Sequence, residues 1–383
     1  MGLNVSPDIA VLLDHFGSGG VERVACHLAN GLHRRGFGVE MVVLEDSGPV
    51  RALLNEGVSV RPLGSVPGLR RAERMKAAVP AIADYLEARS PRLLHAPGNH
   101  TILAAWRAIE TAGFDGVFVP KITNPLMKQA KGLMSRWRRR RDFRRALGRA
   151  DQLLLLSSDG LRQLAQLDPA LVPHARVVHN PYVSDEMFRR SAERSRADPP
   201  IILSIGRLSE QKNHSMLIRA AASLRDRPWR LRICGTGPEE AALRKLAVDL
   251  GVGDRLELPG FVGDPVPEHL SAAVMALSSR WEGLPATVLE AIACGCPVIS
   301  TASSPGLVEL LRSVGAREPV APDDEPGLSR ALEEALEGRL PVVAPEASLP
   351  YGIEAACDEH AKLFAALLDR RVPDSASMAA GTI

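Results

Sequence analysis

Short apolar runs of strand length, each followed by a stretch with helical spacing, recur from one end of the chain to the other. In the first half they are IAVLL at 9–13, VEMVVL at 39–44, RLLHA at 92–96, GVFVPKIT at 116–123, QLLLLS at 152–157 and RVVHN at 176–180. After Pro181 the series restarts with IILSIGR at 201–207, RLRICG at 230–235, LELPG at 256–260, AVMALSS at 273–279 and PVIST at 297–301. Strands alternating with helices predict parallel sheets in doubly wound units. Two series predict two such α/β domains, Rossmann-like and facing a central cleft in which a ligand binds. The polar, proline-bearing stretch from Ser184 to Pro200 predicts the linker, which gives a first domain over 1–183 and a second over 184–350. Residues 351–371 predict a helix, with Ala355, Ala356, Phe364 and Leu367 as apolar positions, that returns to the first domain. Residues 372–383 are small and polar and predict a frayed tail.

Composition narrows the class. At 383 residues the chain suits two domains rather than one core, and 45% apolar with 24% charged residues describes a globular protein. No run approaches the ~18 apolar residues of a spanning helix, and the N-terminus lacks a signal pattern, so a cytoplasmic location is expected. Cys26, Cys234, Cys294, Cys296 and Cys357 are scattered, and their one close pair is CxC, which predicts buried small side chains rather than a zinc site or disulfides. The net charge of +2 is unevenly shared. Residues 1–180 hold 25 Lys and Arg against 16 Asp and Glu, whereas the remainder holds 22 against 29, so an anionic partner or surface is expected for the first half.

The candidate chemistry lies in the turns. EGLPATVLE at 282–290 sets Glu282 and Glu290 eight residues apart around a predicted helix over 287–293. At ~3.6 residues per turn the second acid lies about two turns beyond the first. Two glutamates at this spacing occur in many helices; the flanks make this pair informative. The helix mouth exposes backbone N–H groups and the positive end of the dipole, which suits a diphosphate. A nucleotide sugar, with hydroxyls on both sides of its phosphates, fits such a site. IGRLSEQKN places Arg207 at a strand end and Lys212 five residues later, a fork and a point charge that can reach one diphosphate. CGTGPE at 234–239 is a second strand-end turn in which Gly235 and Gly237 are expected to leave room for the nucleotide. PGFV at 259–262 offers backbone groups to a base edge, with Phe261 and Val262 beneath the ring. GSGG at 17–20 lets backbone approach a ligand but lacks the full dinucleotide fingerprint, and no Walker pattern occurs.

As a set, GRLxxxKN, CGxGPE, LPGFV and SSRWEGLPATVLEAIACGCPVIS over 201–311 resemble the donor half of family four glycosyltransferases, retaining enzymes of the GT-B fold. GGVERV at 19–24 and VVHNPY at 177–182 extend the resemblance more loosely over most of the chain. The resemblance implies that Arg207 and Lys212 bind the donor diphosphate, that Glu282 contacts the donor sugar near its reacting face, and that Glu290 holds the ribose hydroxyls. It further implies that Gly283, Leu284, Thr287 and Val288 present backbone N–H groups, and that Gly20 closes on the phosphates. No Asp-x-Asp triplet occurs, so no metal is expected; cations and a helix dipole neutralise the leaving group instead. In such enzymes the departing phosphate is thought to accept the acceptor proton during front-side attack, with Glu282 as orienter; a glutamate nucleophile is the other possibility. Many relatives carry HxH after the corresponding strand, but position 97 is proline here; His95, or else His100, is expected to substitute in catalysis. The loop ASSPGLVE at 302–309 also lacks the acidic and arginine residues of several relatives.

A basic run, KQAKGLMSRWRRRRDFRRALGR at 128–149, fits neither a plain solvated face nor nucleic-acid binding best. Leu133, Trp137, Phe143 and Leu147 suit the apolar side of an interfacial helix, with Lys131, Arg136, Arg138, Arg139, Arg140 and Arg141 against anionic headgroups. Docking on the inner face of the membrane implies a lipid-linked or glycan acceptor, for which Thr123 and Asn124 at the end of a strand are the contact candidates. The expected activity is transfer of a hexose or N-acetylhexosamine from a nucleotide sugar, with uridine as the expected base, in envelope polysaccharide or glycolipid synthesis. The alternatives are a nucleotide-sugar epimerase of the same architecture and a non-catalytic sugar-nucleotide-binding scaffold.

Overall fold

The computed structural model describes residues 6–126 and 132–370 and divides into two compact units. One runs to Asn180 and resumes at Glu354; the other is Pro181–Ile353. The first unit opens with β1 (Ile9–His15), α1 (Gly20–Arg34), β2 (Val39–Glu45), β3 (Ser59–Pro62), α2 (Arg71–Ala77), α3 (Val79–Arg89) and β4 (Leu93–Ala96). It continues through α4 (Asn99–Ala112), β5 (Val117–Ile122), α5 (Leu133–Gly148), β6 (Leu153–Leu155), α6 (Ser158–Leu167) and β7 (Ala175–Val177). All the pairings are parallel, in the order β3-β2-β1-β4-β5-β6-β7. Every residue of β1 except His15 is buried, as a strand with helices on both faces requires.

The second unit comprises α7 (Asp185–Arg190), β8 (Ile201–Ile205), α8 (His214–Ala222), β9 (Arg230–Cys234), α9 (Glu240–Asp249), β10 (Leu256–Gly260) and α10 (Val266–Ser271). Then come β11 (Val274–Leu277), α11 (Ala286–Ala293), β12 (Val298–Ser300), α12 (Pro305–Ser313) and α13 (Glu325–Leu336). Its sheet is parallel in the order β10-β9-β8-β11-β12, and Trp229, Leu217, Val274 and Leu332 lie in its core. In both sheets the strand order reverses beside the first strand, between β1 and β4 and between β8 and β11. Ligands of open parallel sheets bind in the crevice at the carboxyl ends of such neighbours.

The segment expected to be a linker is folded on the second unit. Ser184 caps α7 by accepting the Met187 N–H, and the chain beyond donates from the Ser195 and Ala197 N–H groups to the Leu270 and Ser271 carbonyls. The crossings between units therefore fall at 180/181 and 353/354 rather than at 183/184 and 350/351. The final helix, α14 (Ile353–Asp369), packs on the first unit. A Cβ added at Gly31 of α1 would stand 2.3 Å from Cys357 Sγ, so glycine is what lets the two helices approach so closely. Arg35 binds Asp358 at 2.6 Å, Phe364 is fully buried, and Ala355 is exposed rather than packed. Lys121, fully buried on β5, donates to Asn180 Oδ1 and lies 3.1 Å from His360 Nε2 of α14. Burial pushes its ammonium down to about 7, with the Glu359 carboxylate opposing. One lysine thus ties the last residue before the first crossing to the helix that follows the second. The tail at 372–383 lies outside the described residues.

Candidate functional site

At the switch point of the second unit, the loop after β8 and the loop after β11 are stitched together. Ser278 Oγ donates to the Lys212 carbonyl at 2.9 Å, the Arg280 N–H to the Gln211 carbonyl at 2.9 Å, and Gln211 Nε2 to the Trp281 carbonyl at 2.9 Å. This lacing sets Lys212 Nζ 2.7 Å from Glu282 Oε1. Glu282 also accepts from Ser279 Oγ at 2.7 Å and from Gln211 Nε2 at 3.4 Å, while its N–H donates to the Ser303 carbonyl at 3.0 Å. Glu282 as a whole is 8% exposed. Sequence reasoning selected Lys212 and Glu282 separately; it missed their ion pair, and it missed Ser279 and Gln211, whose short polar side chains carry no pattern.

Arg207 follows β8 with an exposed side chain. Asn213 takes the left-handed conformation, φ 49°, just before α8, and its amide donates to Asp323 at 2.9 Å. The same Asp323 receives Arg280 Nε at 3.0 Å, fixing the outer wall of the loop pair.

Helix α11 starts at Ala286 without a side-chain cap. Ser304 Oγ donates to the Gly283 carbonyl at 2.6 Å, and the Leu284 carbonyl accepts the Tyr182 hydroxyl at 3.0 Å. Thr287 Oγ1 is occluded yet has no hydrogen-bond partner, an orphan hydroxyl in the first turn that costs free energy until something satisfies it. Val288 is fully buried, and its N–H already donates to the Pro285 carbonyl at 3.3 Å, so it does not serve the mouth as expected. Glu290, about one turn into α11, is 4% exposed, with Oε2 3.9 Å from His269 Nε2. Phe261 and Val262 follow β10, both half-buried.

Gly235 and Gly237 turn the faces that a side chain would occupy against backbone, rather than opening them to a ligand as expected. A Cβ at Gly235 would meet the Gly206 carbonyl oxygen at 2.0 Å and one at Gly237 the Leu208 carbonyl oxygen at 2.2 Å. These glycines admit neighbouring backbone. Gly20 does stand in open space at the start of α1.

His95 is corrected outright. It is fully buried in β4, its Nδ1 2.7 Å from the Val119 carbonyl oxygen and its ring 5.5 Å from that of Phe364. Burial and the nearby Lys121 push it down to about 3, so it is a neutral core side chain out of reach of substrate. His100, in the first turn of α4, is held down to about 4 by burial and Arg71. It neighbours a cluster that the sequence did not reveal: Asp14 at the end of β1 binds Arg74 and Arg71, and Arg71 also pairs with Glu22 of α1. Burial opposes ionisation of Asp14, but hydrogen bonds from His15 and Arg74 and the two guanidinium charges hold its carboxyl well below the usual range. Thr123 is nearly buried and Asn124 exposed; Asn99 clamps them, accepting the Thr123 N–H at 2.8 Å and donating to the Asn124 carbonyl at 2.7 Å.

In α5 the apolar side divides. Phe143 and Leu147 are buried in the core of the first unit, while Leu133, Met134 and Trp137 are 87%, 64% and 58% exposed. Arg139 is turned inward, donating to the Leu126 carbonyl and lying 4.8 Å over the Phe143 ring. Arg140 donates to the Gln166 and Leu167 carbonyls. Arg141 pairs with Asp142 and sits 5.2 Å over Trp137, whereas Arg136 and Arg138 are exposed. Lys131 lies outside the described residues. All five cysteines are buried and free. No helix among the described residues is long and apolar enough to cross a membrane.

Residues 185–347 match the family described as Glycosyl transferases group 1, and residues 19–182 match the Glycosyl transferase 4-like domain. A relative from Campylobacter jejuni, an N-acetylgalactosamine-N,N'-diacetylbacillosaminyl-diphospho-undecaprenol 4-alpha-N-acetylgalactosaminyltransferase, is 29% identical over 49% of this chain and 52% of its own. Other relatives bear names from lipopolysaccharide core and colanic acid biosynthesis. The chain spans about half the length of the curated relatives it matches, from 40% to 64% for the first three. Among solved structures, WaaG, a glycosyltransferase involved in lipopolysaccharide biosynthesis, is similar with a TM-score of 0.71 at 17% identity, over 93% of this chain and 99% of that one. Anabaena HepE in complex with UDP and glucose is similar at 0.70 and 17% identity, over 95% and 98%. The two parallel-sheet units are those of the GT-B fold.

Proposed function

From a chain that carries a glycosyl transferase 4-like domain followed by a glycosyl transferases group 1 domain, we propose a retaining glycosyltransferase that needs no metal. It moves a hexose or N-acetylhexosamine from a uridine-linked nucleotide sugar to a lipid-linked or glycan acceptor in envelope polysaccharide or glycolipid synthesis. The observation that carries this reading is the Lys212–Glu282 pair at the second switch point, beside an exposed Arg207 and an uncapped helix start. A strong cation and a carboxylate held together there match a ligand that is anionic at one atom and sugar-like at the next. The C. jejuni relative's polyprenyl-linked acceptor and HepE's UDP support the acceptor class and the base.

The chemistry follows from charge. As the bond from sugar to phosphate breaks, negative charge grows on the diphosphate and positive charge on the anomeric carbon. Arg207 forks the diphosphate, the Lys212 ammonium meets it from the side, and the α11 dipole points at it. Glu282, released from Lys212 by the phosphate, turns to the sugar and holds its reacting face. The leaving phosphate oxygen takes the acceptor's proton.

A thermal-shift screen against UDP, GDP, ADP and their common sugars, with and without EDTA, tests this. UDP and UDP-sugars are expected to raise the unfolding midpoint selectively, through a stabilisation of about 3–4 kcal/mol at 100–1,000 times Kd, with no effect of EDTA. No shift with any nucleotide would favour a scaffold; stabilisation abolished by EDTA would overturn the metal-free mechanism.

The exposed face of α5 is the docking surface in this reading. Leu133, Met134 and Trp137 insert among headgroups while Arg136, Arg138 and Arg141 meet anionic lipid. Replacing Arg136 and Arg138 together with glutamine should weaken binding to phosphatidylglycerol vesicles by about 2 kcal/mol at low salt, at ~1 kcal/mol per charge. Trp137→Ala should weaken it further. Sedimentation unchanged in both variants would remove the docking face.

A further inference from the structure

We infer that Tyr182 and Ser304 are positioning residues for the diphosphate: their hydroxyls hold the carbonyls of the turn at 283–285 and so leave its N–H groups, and those of the α11 start, open to the ligand. The inference rests on the donor reading above and adds to it two residues that take no part in that mechanism.

The turn into α11 is pinned peptide by peptide. Gln211 Nε2 holds the Trp281 carbonyl at 2.9 Å and the Ser303 carbonyl holds the Glu282 N–H at 3.0 Å. In a trans peptide the C=O and N–H point opposite ways, so Ser304 Oγ, donating to the Gly283 carbonyl at 2.6 Å, turns the Leu284 N–H away from itself. The next peptide nitrogen belongs to Pro285 and carries no hydrogen. Its carbonyl, that of Leu284, is therefore the one group that can be held, and the Tyr182 hydroxyl holds it at 3.0 Å. Among the described residues neither the Gly283 nor the Leu284 N–H donates to a protein acceptor.

This arrangement reverses ordinary capping. A cap accepts from the first N–H groups of a helix and so consumes the donors that an anion needs. Ser184 does this at α7 and Ser304 at α12, where its Oγ accepts the Leu307 N–H at 3.2 Å. Helix α11 has no side-chain cap, and the two hydroxyls beside it donate to carbonyls instead. Tyr182 is itself held firmly. Its ring is stacked on Tyr351 at 6.4 Å, its N–H and that of Val183 donate to the Tyr351 carbonyl at 3.0 Å, and the Ile353 N–H donates to the Val183 carbonyl at 2.8 Å. The segments next to the two chain crossings are thus tied to each other, and one hydroxyl fastens them to the donor turn. A turn set before the ligand arrives need not be ordered by it.

The test measures diphosphate against nucleoside, by calorimetry for UDP, GDP and ADP and by NMR titration for uridine, guanosine and adenosine, in the wild type, Tyr182→Phe, Ser304→Ala and Ser304→Thr. Tyr182→Phe keeps the ring on Tyr351 and removes the hydroxyl alone. For the base that the wild type prefers, diphosphate affinity should fall about tenfold in Tyr182→Phe and in Ser304→Ala, the worth of a hydrogen bond to a charged group, with nucleoside affinity within about twofold. Ser304→Thr keeps a hydroxyl and should restore most of the loss. A diphosphate-to-nucleoside ratio unchanged in Tyr182→Phe or in Ser304→Ala overturns the inference for that residue, however far its melting midpoint drops. Equal weakening of diphosphate and nucleoside overturns it as a general packing defect. No binding of any nucleotide by the wild type overturns the donor reading itself.

Discussion

Glutamine in place of Glu282 should cut sugar transfer about 10²–10⁴-fold while nucleoside-diphosphate affinity stays within about threefold, since an interaction made with charge developing in the transition state affects kcat rather than binding. The substitution keeps size and leaves an acceptor oxygen for Ser279 Oγ, which stands 2.7 Å away. What it removes is the negative charge facing the anomeric carbon. Lys212→Ala should behave differently. It withdraws the cation from the diphosphate in both ground and transition states, so KM rises together with a fall in kcat. The two residues touch, so their effects should fall short of additivity in the double variant. Measured kcat and KM for the four proteins decide the matter. Transfer within tenfold of wild type in Glu282→Gln, with the fold intact by thermal melt, would take Glu282 out of the reaction.

How far the sequence reaches is clearest where the apolar pattern is strong. Each of the eleven apolar runs overlaps a strand, most clearly where the strand is buried on both faces and has few polar positions to blur it, as in β1, β4 and β11. The strand that the pattern missed, β3, reads SVRP at the sheet edge and is mostly exposed, so no apolar run marks it. The stretch at 184–200 looked like a linker because it is polar. It is instead a capped helix followed by backbone that bonds to the end of α10, and such pairing depends on partners far away in sequence.

The candidate site divides in the same way. Glu282, Arg207 and Lys212 were legible because each follows an apolar strand and precedes a helix. His95 failed on depth: a histidine inside a strand of a sheet covered on both faces points into a core, and its neighbours Phe364 and Lys121 come from other parts of the chain. The basic helix misled by one face. Phe143 and Leu147 share a stripe that faces the core, its centre about 80° around from that of Leu133 and Trp137 at ~100° per residue.

Alanine at Gly235 should destabilise the second unit by about 3 kcal/mol or more, and should do so through the loops rather than through any ligand. Gly235 holds φ at 151°, which side-chain-bearing residues rarely adopt, and its new Cβ would stand 2.0 Å from the Gly206 carbonyl oxygen. Relief is difficult because both neighbours are fixed. The Gly206 N–H donates to the Cys234 carbonyl at 2.9 Å, and the Gly235 N–H donates to the Gly260 carbonyl at 2.7 Å. Moving either strand end breaks a bond that holds β8, β9 and β10 in line at their carboxyl ends. Gly20→Ala is the contrasting variant: it has open space in a helical first turn and should be neutral or stabilising by about 0.5 kcal/mol. Urea unfolding of the two variants separates the cases, with a lower midpoint expected for Gly235→Ala alone. Nucleoside-diphosphate affinity should fall in Gly235→Ala as well, because Arg207 and Lys212 hang from the loop that the new methyl displaces. A Gly235→Ala protein with wild-type midpoint and affinity would mean that these glycines are not holding the loops, and the open-room reading of this turn would have to be restored.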